Sequence, residues 1–408
     1  MQPFNKRIAI MLPFGFSSGL PLALTGATLQ AWLATSAVDI KTIGLFSLAG
    51  LPYAIKFLWS PIMDRFSIPW LGRRRGWIFL AQILLSIGLA FMATLSPAEN
   101  QMVMGWTAFI IAFLSASQDI AIDAYRADVL RQEERGLGVA MTVTGYRIAM
   151  LVSGALALIL SDRIGWMNTY RVMAAFMAVS IIITISSPKT DGETRPPRDI
   201  NEAIAGPLKE FFSRRNALFF ILFIILYKLP DAFASSLITA FLIKGPGFSP
   251  TEVGTVNKAL GLASTMAGAF LGGWLMRRMG LFRSLLYFGV FQAISSLWFT
   301  ALAIAGKSYP LLITSVTLEN LSSGMGTAAF VSLMMALCNR NFTATQYALL
   351  SAVSATGRIF AGPPSGFLAG ILSWPWFFIF SACVALPGLL LLLIMKKGIL
   401  ALERDTRL

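Results

Sequence analysis

The sequence predicts an all-α membrane protein with about twelve transmembrane helices in two six-helix, pseudo-symmetric bundles. Three observations predict this fold class: an apolar composition, apolar runs that recur at membrane-spanning length, and a similarity between the two halves of the chain. Of the 408 residues, 56% are hydrophobic and only 13% are charged, and the mean hydropathy is +0.71. A soluble protein of this length cannot bury so much apolar surface, whereas a protein with many spans exposes it to lipid.

Apolar runs long enough to cross a hydrocarbon layer of about 30 Å occur along the whole chain. The predicted spans, one to twelve, cover residues 8–34, 42–63, 76–95, 102–127, 137–160, 168–187, 216–243, 252–276, 282–305, 309–337, 343–372 and 375–395. A polar, proline-rich stretch separates two sets of six. The predicted domains are an N-terminal bundle (1–187), a cytoplasmic linker (188–214), a C-terminal bundle (215–397) and a cytoplasmic tail (398–408).

The basic residues set the predicted topology. A formal net charge of +14 suggests a nucleic-acid-binding protein, but the distribution of the charge argues against it. With the N-terminus in the cytoplasm, 22 of the 33 Lys and Arg residues lie on the termini and even-numbered loops, five on the odd-numbered loops and six within spans. This is the positive-inside pattern. We therefore expect both termini to lie in the cytoplasm and the protein to contact the lipid bilayer rather than nucleic acid. We also expect it to be a monomer.

The two halves of the chain are similar at an offset of about 210 residues. Pro21 in span one corresponds to Pro230 in span seven, and Gly145 in span five corresponds to Gly357 in span eleven. Each match alone carries little weight because Gly and Pro are frequent in membrane helices, but the common offset indicates a repeat. Two six-span halves joined by a cytoplasmic loop are typical of major facilitator transporters, whose halves rock about a site near the membrane midplane.

Composition and motifs exclude several chemistries. The chain has no histidine, and Cys338 and Cys383 lie in apolar segments, so we expect neither histidine-based metal or proton sites nor a disulfide framework. The sequence contains no phosphate-binding loop and no nucleophile motif. The sequence therefore predicts a protein that is not an enzyme and has neither a metal nor a cofactor.

Span four carries the most informative motif. Asp119, Asp123 and Arg126 are spaced i, i+4, i+7 and therefore lie on one face of a helix. Ionisable groups at membrane depth nearly always face a protein interior or a water-filled cavity. Two carboxylates one turn apart are suited to gain and lose a proton, so we predict that Asp119 and Asp123 couple transport to a proton. In the alternative, Asp123 and Arg126 form a structural pair and Asp119 bonds a neighbouring helix.

Span seven repeats the pattern, because Lys228 and Asp231 share a helix face beside Pro230, which can break the helix. A broken helix with such a pair is typical of a substrate-binding element, and a self-compensating structural pair is the alternative. Lys56 and Lys258 can instead reach the membrane interface by snorkelling. Further candidate ligands for a polar, hydroxylated anion are Thr25, Trp32, Tyr146, Arg147, Glu319, Asn320 and Arg358.

The turn after span two predicts a gate. Asp64 and Arg65, followed by Gly72 and the arginines Arg73 and Arg74, resemble the D-R…G-R-R signature between spans two and three of major facilitator proteins. Asp64 can pair with arginines or with the positive end of a helix and hold one side of the transporter shut. The alternative is a basic cluster that only sets topology.

The chain resembles the AmpG family of muropeptide permeases over nearly its whole length. The motif Ser115-Ala116-Ser117-Gln118-Asp119-Ile120 carries this resemblance most clearly. Further matching segments are residues 18–25, 29–32, 56–61, 63–65, 123–124, 134–136, 145–147, 227–229, 231–234, 256–258, 319–321 and 324–327. Some members of that family continue into further C-terminal spans, and we expect the transport core to be independent of them.

The resemblance implies proton-driven import of cell-wall breakdown products across the bacterial inner membrane. The cargo would be N-acetylglucosaminyl-1,6-anhydro-N-acetylmuramic acid and its peptides, which supply peptidoglycan recycling and the signal that induces β-lactamase. The resemblance assigns coupling and binding to Gln118, Asp119 and Asp123, and the cavity to Lys228, Asp231, Asn257, Lys258, Glu319 and Asn320.

Two other functions compete with this one. A carrier of another polar anion, such as an acyl-CoA, a nucleotide or a siderophore, would use the same fold, and only the family resemblance argues against it. A membrane enzyme or accessory protein acting on lipid or pigment would need a catalytic group or a groove open to lipid; the sequence shows no catalytic group and does not decide on the groove.

Overall fold

The computed structural model describes residues 6–60, 63, 66, 71–131, 134–189, 210–213, 216–338 and 343–406. Within these ranges the regular structure is helical throughout, with no strand. Eight segments of this described part are long and apolar enough to cross a membrane, and one of them, Leu137–Ser186, covers predicted spans five and six. Large side chains such as Phe270, 79% exposed, cover helix faces that are suited to contact lipid.

The helices of the first half follow the predicted order. They are Lys6–Ala9, Met11–Leu24 and Ala27–Thr35 (span one), Ile40–Leu45 and Leu51–Ile55 (span two), Arg73–Met92 (span three), Gln101–Val129 (span four), Arg135–Met150 (span five) and Ala157–Ser186 (the end of span five and span six). Short 3₁₀ turns at Phe46–Gly50 and Lys56–Leu58 interrupt span two, and a π-helical turn at Leu151–Leu156 lies in span five. Gly165, at φ 77°, separates spans five and six.

The second half is built in the same way. Its helices are Ala217–Ser235 and Ile238–Lys244 (span seven), Pro250–Glu252 and Gly261–Met279 (span eight), Leu281–Ala305 (span nine), Tyr309–Ala336 (span ten), Thr343–Phe360 and Gly362–Ala369 (span eleven), Trp374–Cys383 and Ala385–Ile394 (span twelve) and Lys396–Thr406. A π-helical stretch, Val253–Leu260, lies in span eight. The last helix, Lys396–Thr406, occupies most of the segment predicted as a tail.

The backbone supports the internal repeat. Gly72 and Gly280, 208 residues apart, precede spans three and nine with φ/ψ of 77°/174° and 80°/170°, a region that only glycine adopts without strain. The breaks in spans one and seven follow Leu24 and Ser235, 211 residues apart. The expected break beside Pro230 is wrong in position, because the helix continues through Pro230, as a transmembrane helix can when neighbouring groups satisfy its backbone.

The chain forms two compact units. Unit 1 comprises Met1–Val38, Leu48–Arg198 and Ser249–Gly254, and unit 2 comprises Asp39–Ser47, Asp199–Phe248 and Thr255–Leu408. Each unit therefore contains one short segment from the other half of the chain. The predicted linker, 188–214, lies mostly outside the described residues, and the predicted domain limits stay a prediction.

Small residues bring helix backbones close together inside each unit. In unit 1 a Cβ added to Gly145 of span five would overlap the carbonyl oxygen of Leu12 in span one. In unit 2 a Cβ on Gly268 of span eight would overlap the carbonyl oxygen of Leu321 in span ten. Close backbone approach of this kind drives helix association in membranes, where apolar burial does not. It fixes the rotation of the helices that carry the polar side chains described below.

Candidate functional site

Unit 1 holds a polar group around Asp119, here called the Asp119 cluster: Ser18, Tyr53, Lys56, Ser115 and Asp119. Ser18 Oγ donates to Asp119 Oδ1 at 2.5 Å, and Lys56 Nζ lies 3.9 Å from Asp119 Oδ2. The Asp119 side chain is 15% exposed and that of Lys56 is 36% exposed. Lys56 therefore contacts a carboxylate rather than only reaching for the membrane interface, and spans one, two and four meet at Asp119.

Two hydroxyl groups of this cluster are buried next to each other. Tyr53 lies close enough to Ser115 and Thr25 to interact through its hydroxyl group, and close enough to Asp119 and Tyr146 to interact with both electrostatically. Within the described part of the chain, however, Tyr53 Oη and Ser115 Oγ are buried without a hydrogen bond of good geometry. Buried polar atoms are nearly always satisfied, so a small rearrangement or a water molecule would complete their bonding.

The rest of the span-four stripe has a different environment. Arg126 Nη2 lies 3.0 Å from Asp123 Oδ1, and the Asp123 side chain is 55% exposed. This is the structural pair that the sequence offered as an alternative. Asp119 is held by residues of spans one and two, whereas Asp123 is held by its own helix, so the structure separates the two carboxylates that the sequence grouped. The coupling roles of both stay predictions.

Gln118, next to Asp119, lies in the helix seam rather than beside the carboxylate. Its side chain is fully buried, and Gln118 Nε2 donates to Ser17 Oγ at 3.3 Å while its Oε1 has no partner in the described residues. Gln82 of span three approaches the same Ser17 and accepts from Thr184 Oγ1 at 2.7 Å. Sequence reasoning missed Gln82 and Thr184, although a glutamine at mid-span is a detectable signal.

Unit 2 holds a second polar group, here called the Lys228 cluster: Lys228, Asp231, Ser323 and Thr327. Lys228 Nζ donates to Thr327 Oγ1 at 2.9 Å and lies 3.4 Å from Asp231 Oδ2. Ser323 Oγ lies 3.3 Å from both Asp231 oxygens. The Lys228 and Asp231 side chains are 9% and 22% exposed. The predicted pair therefore exists, and it joins span seven to span ten.

Glu319 forms a separate group with span nine, here called the Glu319 cluster: Gln292, Ser295, Glu319 and Ser322. Ser295 Oγ lies 2.7 Å from Glu319 Oε2 and 2.8 Å from Ser322 Oγ. Glu319 is buried, with 4% of its surface exposed. The structure thus brings Glu319 to hydroxyls between spans nine and ten and does not include it in the Lys228 pair.

Lys258 lies in the π-helical stretch of span eight. Lys258 Nζ donates to Thr239 Oγ1 of span seven at 2.8 Å, and no carboxylate of the described chain lies within 4.0 Å of it. Asn257 beside it is half-buried. Asn320 lies in the seam between spans eight and ten, where its amide bonds Val316 and Thr265. Lys258 is the charged member of these three predicted ligands, and its charge has no carboxylate partner among the described residues.

The other predicted ligands are spread over both units. Thr25 bonds its own helix at Pro21, and Trp32 stacks on Trp166 of span six with ring centroids 5.9 Å apart. Both are buried. Tyr146 and Arg147 of span five are half-buried, and Arg358 of span eleven is exposed.

The predicted gate is only partly described. Asp64 and Arg65 lie outside the described residues, and Arg73 begins span three, with its side chain outside the description. Arg74 Nε donates to Asp128 Oδ2 at 3.0 Å, with the two side chains 13% and 17% exposed. Asp128, at the end of span four, is a partner that sequence reasoning missed. The described residues contain no group of three or more potential metal ligands.

Comparison with known proteins identifies the family. Residues 11–362 match the Major Facilitator Superfamily. The chain belongs to this superfamily. It is 51% identical over 394 residues to the anhydromuropeptide permease of Escherichia coli strain K12, a match that covers 96% of this chain and 80% of that protein. The resemblance to the AmpG family, the all-α membrane fold and the prediction that the protein is a transporter rather than an enzyme are therefore confirmed.

Solved structures of superfamily members have the same fold. The nucleoside transporter NupG superposes with a TM-score of 0.75 at 15% identity, covering 96% of this chain and all of that one. The peptide-transporter-family member PepTSo also gives 0.75, at 11% identity, covering 98% and 99%. At such identities the likeness concerns the fold alone. The superfamily match and the 51% identity to a permease, rather than these structures, show that the chain is a membrane-spanning transporter with a small-molecule substrate.

Proposed function

We propose that this protein imports peptidoglycan breakdown products, N-acetylglucosaminyl-1,6-anhydro-N-acetylmuramic acid and its peptides, together with protons. The observation that carries the proposal is the 51% identity to an anhydromuropeptide permease over 96% of the chain. The import would supply cell-wall recycling and the signal that induces β-lactamase. The bacterial inner membrane, cytoplasmic termini and a monomer without a cofactor complete the proposal.

The chemistry of the described residues suits such a cargo. A muropeptide carries sugar hydroxyls, amides and carboxylates. Lys258, whose described partner is the Thr239 hydroxyl, has no carboxylate within 4.0 Å, and a cation within a membrane domain is stabilised by an opposite charge. We propose that it pairs with a carboxylate of the cargo. Lys228 and Asp231 would bind cargo hydroxyls and amides, since each can exchange its present hydroxyl contacts for those of a ligand.

Proton coupling is assigned to the Asp119 cluster. The Asp119 carboxyl group accepts one hydrogen bond, from Ser18, and has the partly exposed Lys56 ammonium group 3.9 Å away. These contacts stabilise its charged form only in part, and burial favours its neutral form. A carboxyl group balanced in this way can change protonation when its surroundings change. The Tyr53 and Ser115 hydroxyls, buried beside Asp119 without a hydrogen bond of good geometry in the described residues, would lie along the path of the proton.

Uptake into proteoliposomes tests the function. Purified protein is reconstituted, an inwardly directed pH gradient is imposed, and accumulation of labelled anhydromuropeptide is followed. We expect accumulation above the external concentration that collapses with a protonophore. Competition by unlabelled muropeptide, but not by an acyl-CoA, a nucleotide or a siderophore, distinguishes this cargo from other anions. Uptake that does not depend on the pH gradient would refute proton coupling. Competition by another anion, but not by muropeptide, would refute the proposal that muropeptide is the substrate.

A further inference from the structure

The Glu319 cluster places a carboxyl group in a neutral, enclosed setting. Glu319 lies on span ten with 4% of its surface exposed, and its described side-chain partner is the hydroxyl of Ser295 on span nine. Ser322, one turn along span ten, lies 2.8 Å from the same hydroxyl. The three side chains therefore form a short chain of oxygens closed between two helices of unit 2.

No positive charge neutralises Glu319 in the described part of the chain. The charged groups that act on it electrostatically are Lys228 and Asp231 of span seven. Lys228 Nζ is bound to Asp231 and Thr327, so its charge is already compensated. Span eight presents the uncharged Gly261 and Thr265 to the neighbouring Asn320. An ionised carboxylate without a cation is strongly disfavoured at this depth.

Span nine contributes no charge at this level. Its buried residues there are Gln292, Ser295 and Ser296, and its basic residue, Arg283, is three turns nearer the start of the helix. Lys258 of span eight donates to Thr239 instead. Among the described residues, the polar side chains that bond Glu319 are thus neutral, and the two charged groups that act on it, Lys228 and Asp231, are paired with each other.

A proton on Glu319 lets the cluster make more of its hydrogen bonds. Four short contacts link its oxygens: Ser295 Oγ to Glu319 Oε2, to Ser322 Oγ and to the Gln292 carbonyl oxygen, and Ser322 Oγ to the Glu319 carbonyl oxygen. With Glu319 neutral, its O–H can donate to Ser295 Oγ across the 2.7 Å contact, while Ser295 and Ser322 each donate to a carbonyl oxygen at 2.9 Å. With Glu319 ionised, Ser295 must turn to the carboxylate, which then has a single side-chain donor. Hydroxyls rotate to suit their partners, so the neutral form fills three of the four contacts and the ionised form only two.

We propose that Glu319 is a second proton-binding site of this transporter, separate from Asp119, and that it holds a proton in the conformation described here. As regards transport, the proposal rests on the proposed function: Glu319 would release its proton and bind another during the cycle. Ser323, one turn from Glu319, contacts Asp231. A cargo that draws Lys228 or Asp231 out of their pair would change the field at Glu319, which links cargo binding to this proton.

A small cavity lies next to Gln292 of the cluster. It has a volume of about 10 Å³, is lined by Tyr227, Gly289 and Gln292 among others, and has room for about one water molecule. Gln292 Nε2 is buried and has no partner among the described residues. A water molecule in this cavity would supply a partner for this amide.

Infrared spectroscopy tests the protonation state without any cargo. The carbonyl stretch of protonated carboxyl groups is compared between wild-type protein and Glu319→Gln in lipid. The amide of Gln is matched in size and can donate to Ser295 Oγ as the neutral acid does, so the fold should be retained. We expect a protonated-carboxyl band at neutral pH that Glu319→Gln removes and Asp119→Asn leaves. An unchanged band in Glu319→Gln overturns the proposal.

Accumulation measurements test the role in transport. Two protons per cargo allow about a hundredfold accumulation per unit of pH gradient, and one proton allows about tenfold. We expect Glu319→Gln to lower the ratio about tenfold while exchange of cargo across the membrane persists. An unchanged ratio overturns the role in transport. Wild-type protein that transports no muropeptide would refute the proposed function, whereas the infrared result does not depend on it.

Discussion

Replacing Asp119 with Asn is the sharpest test of proton coupling. Asn has the same shape, and its Oδ1 can still accept from Ser18, but it cannot bind and release a proton. A pH gradient of one unit supplies about 1.4 kcal/mol per proton, or about tenfold accumulation. We therefore expect Asp119→Asn to lower gradient-driven accumulation of labelled muropeptide by at least about tenfold, while exchange between equal concentrations on the two sides continues.

The structure also indicates that this variant stays folded. At the 3.9 Å separation of Lys56 and Asp119, Coulomb's law with an effective dielectric constant near 20 gives about 4 kcal/mol. Because the Lys56 side chain is 36% exposed, solvent screening reduces the net contribution to about 1 kcal/mol. Total stabilities are about 5–15 kcal/mol, so the loss is tolerated. Thermal unfolding in detergent checks this.

Asp123→Asn is the matched control for this experiment. Its carboxylate is one helical turn from Asp119, but it is 55% exposed and paired with Arg126. We expect its accumulation ratio to stay near the wild-type value. The reasoning would be refuted if Asp119→Asn kept full accumulation, or if only Asp123→Asn lost it, because the proton would then bind at the exposed pair.

The remaining predictions concern packing and charge in unit 2. Gly268→Ala should lower the stability by about 1–3 kcal/mol because its added Cβ would overlap a carbonyl oxygen of span ten. Gly273→Ala is the control, because nothing lies within 4 Å of its added Cβ, and it should leave the stability unchanged. Unfolding in detergent compares the two variants, and equal stabilities would contradict the packing. Asp231→Asn leaves the Lys228 ammonium group buried without a carboxylate and should lower the stability by about 3 kcal/mol. Adding Lys228→Met removes that buried charge and should restore much of the lost stability. A double variant that is no more stable than Asp231→Asn alone would contradict the pairing. Lys258→Met should weaken muropeptide binding about 10- to 100-fold without unfolding the protein, and unchanged affinity would remove Lys258 from the site.

Several local features were predictable because they depend on short stretches of chain. The apolar runs gave the positions of the helices to within a few residues, since membrane thickness dictates their length. The pair of Lys228 and Asp231 followed from their i, i+3 spacing on one helix face, as did that of Asp123 and Arg126. The helix break expected at Pro230 was misplaced because the environment of the helix, and not proline alone, decides where it ends.

Contacts between different helices could not be predicted from the periodicity of the sequence. Asp119 and Lys56 are 63 positions apart, and Glu319 and Ser295 are 24 apart in different helices. Helical periodicity places residues on a face of their own helix, but it does not say which helix lies opposite or at what height. The motif around Arg74 predicted a gating role for it but did not predict its partner, Asp128, which lies 54 positions away on span four. The gating role stays a prediction.

The sequence by itself determined a membrane protein of repeated apolar helices whose family resemblance is carried by polar motifs, and it predicts which side of the membrane its basic residues face. Membrane thickness, helix periodicity and the positive-inside rule act along the chain, so these properties can be read residue by residue. The tertiary structure alone decided which charged groups meet between different helices, as Lys56 and Asp119 do and as Arg74 and Asp128 do. Glycine contacts set the rotation and register of each helix, and these place Asp119 beside Lys56 and leave Glu319 among hydroxyls.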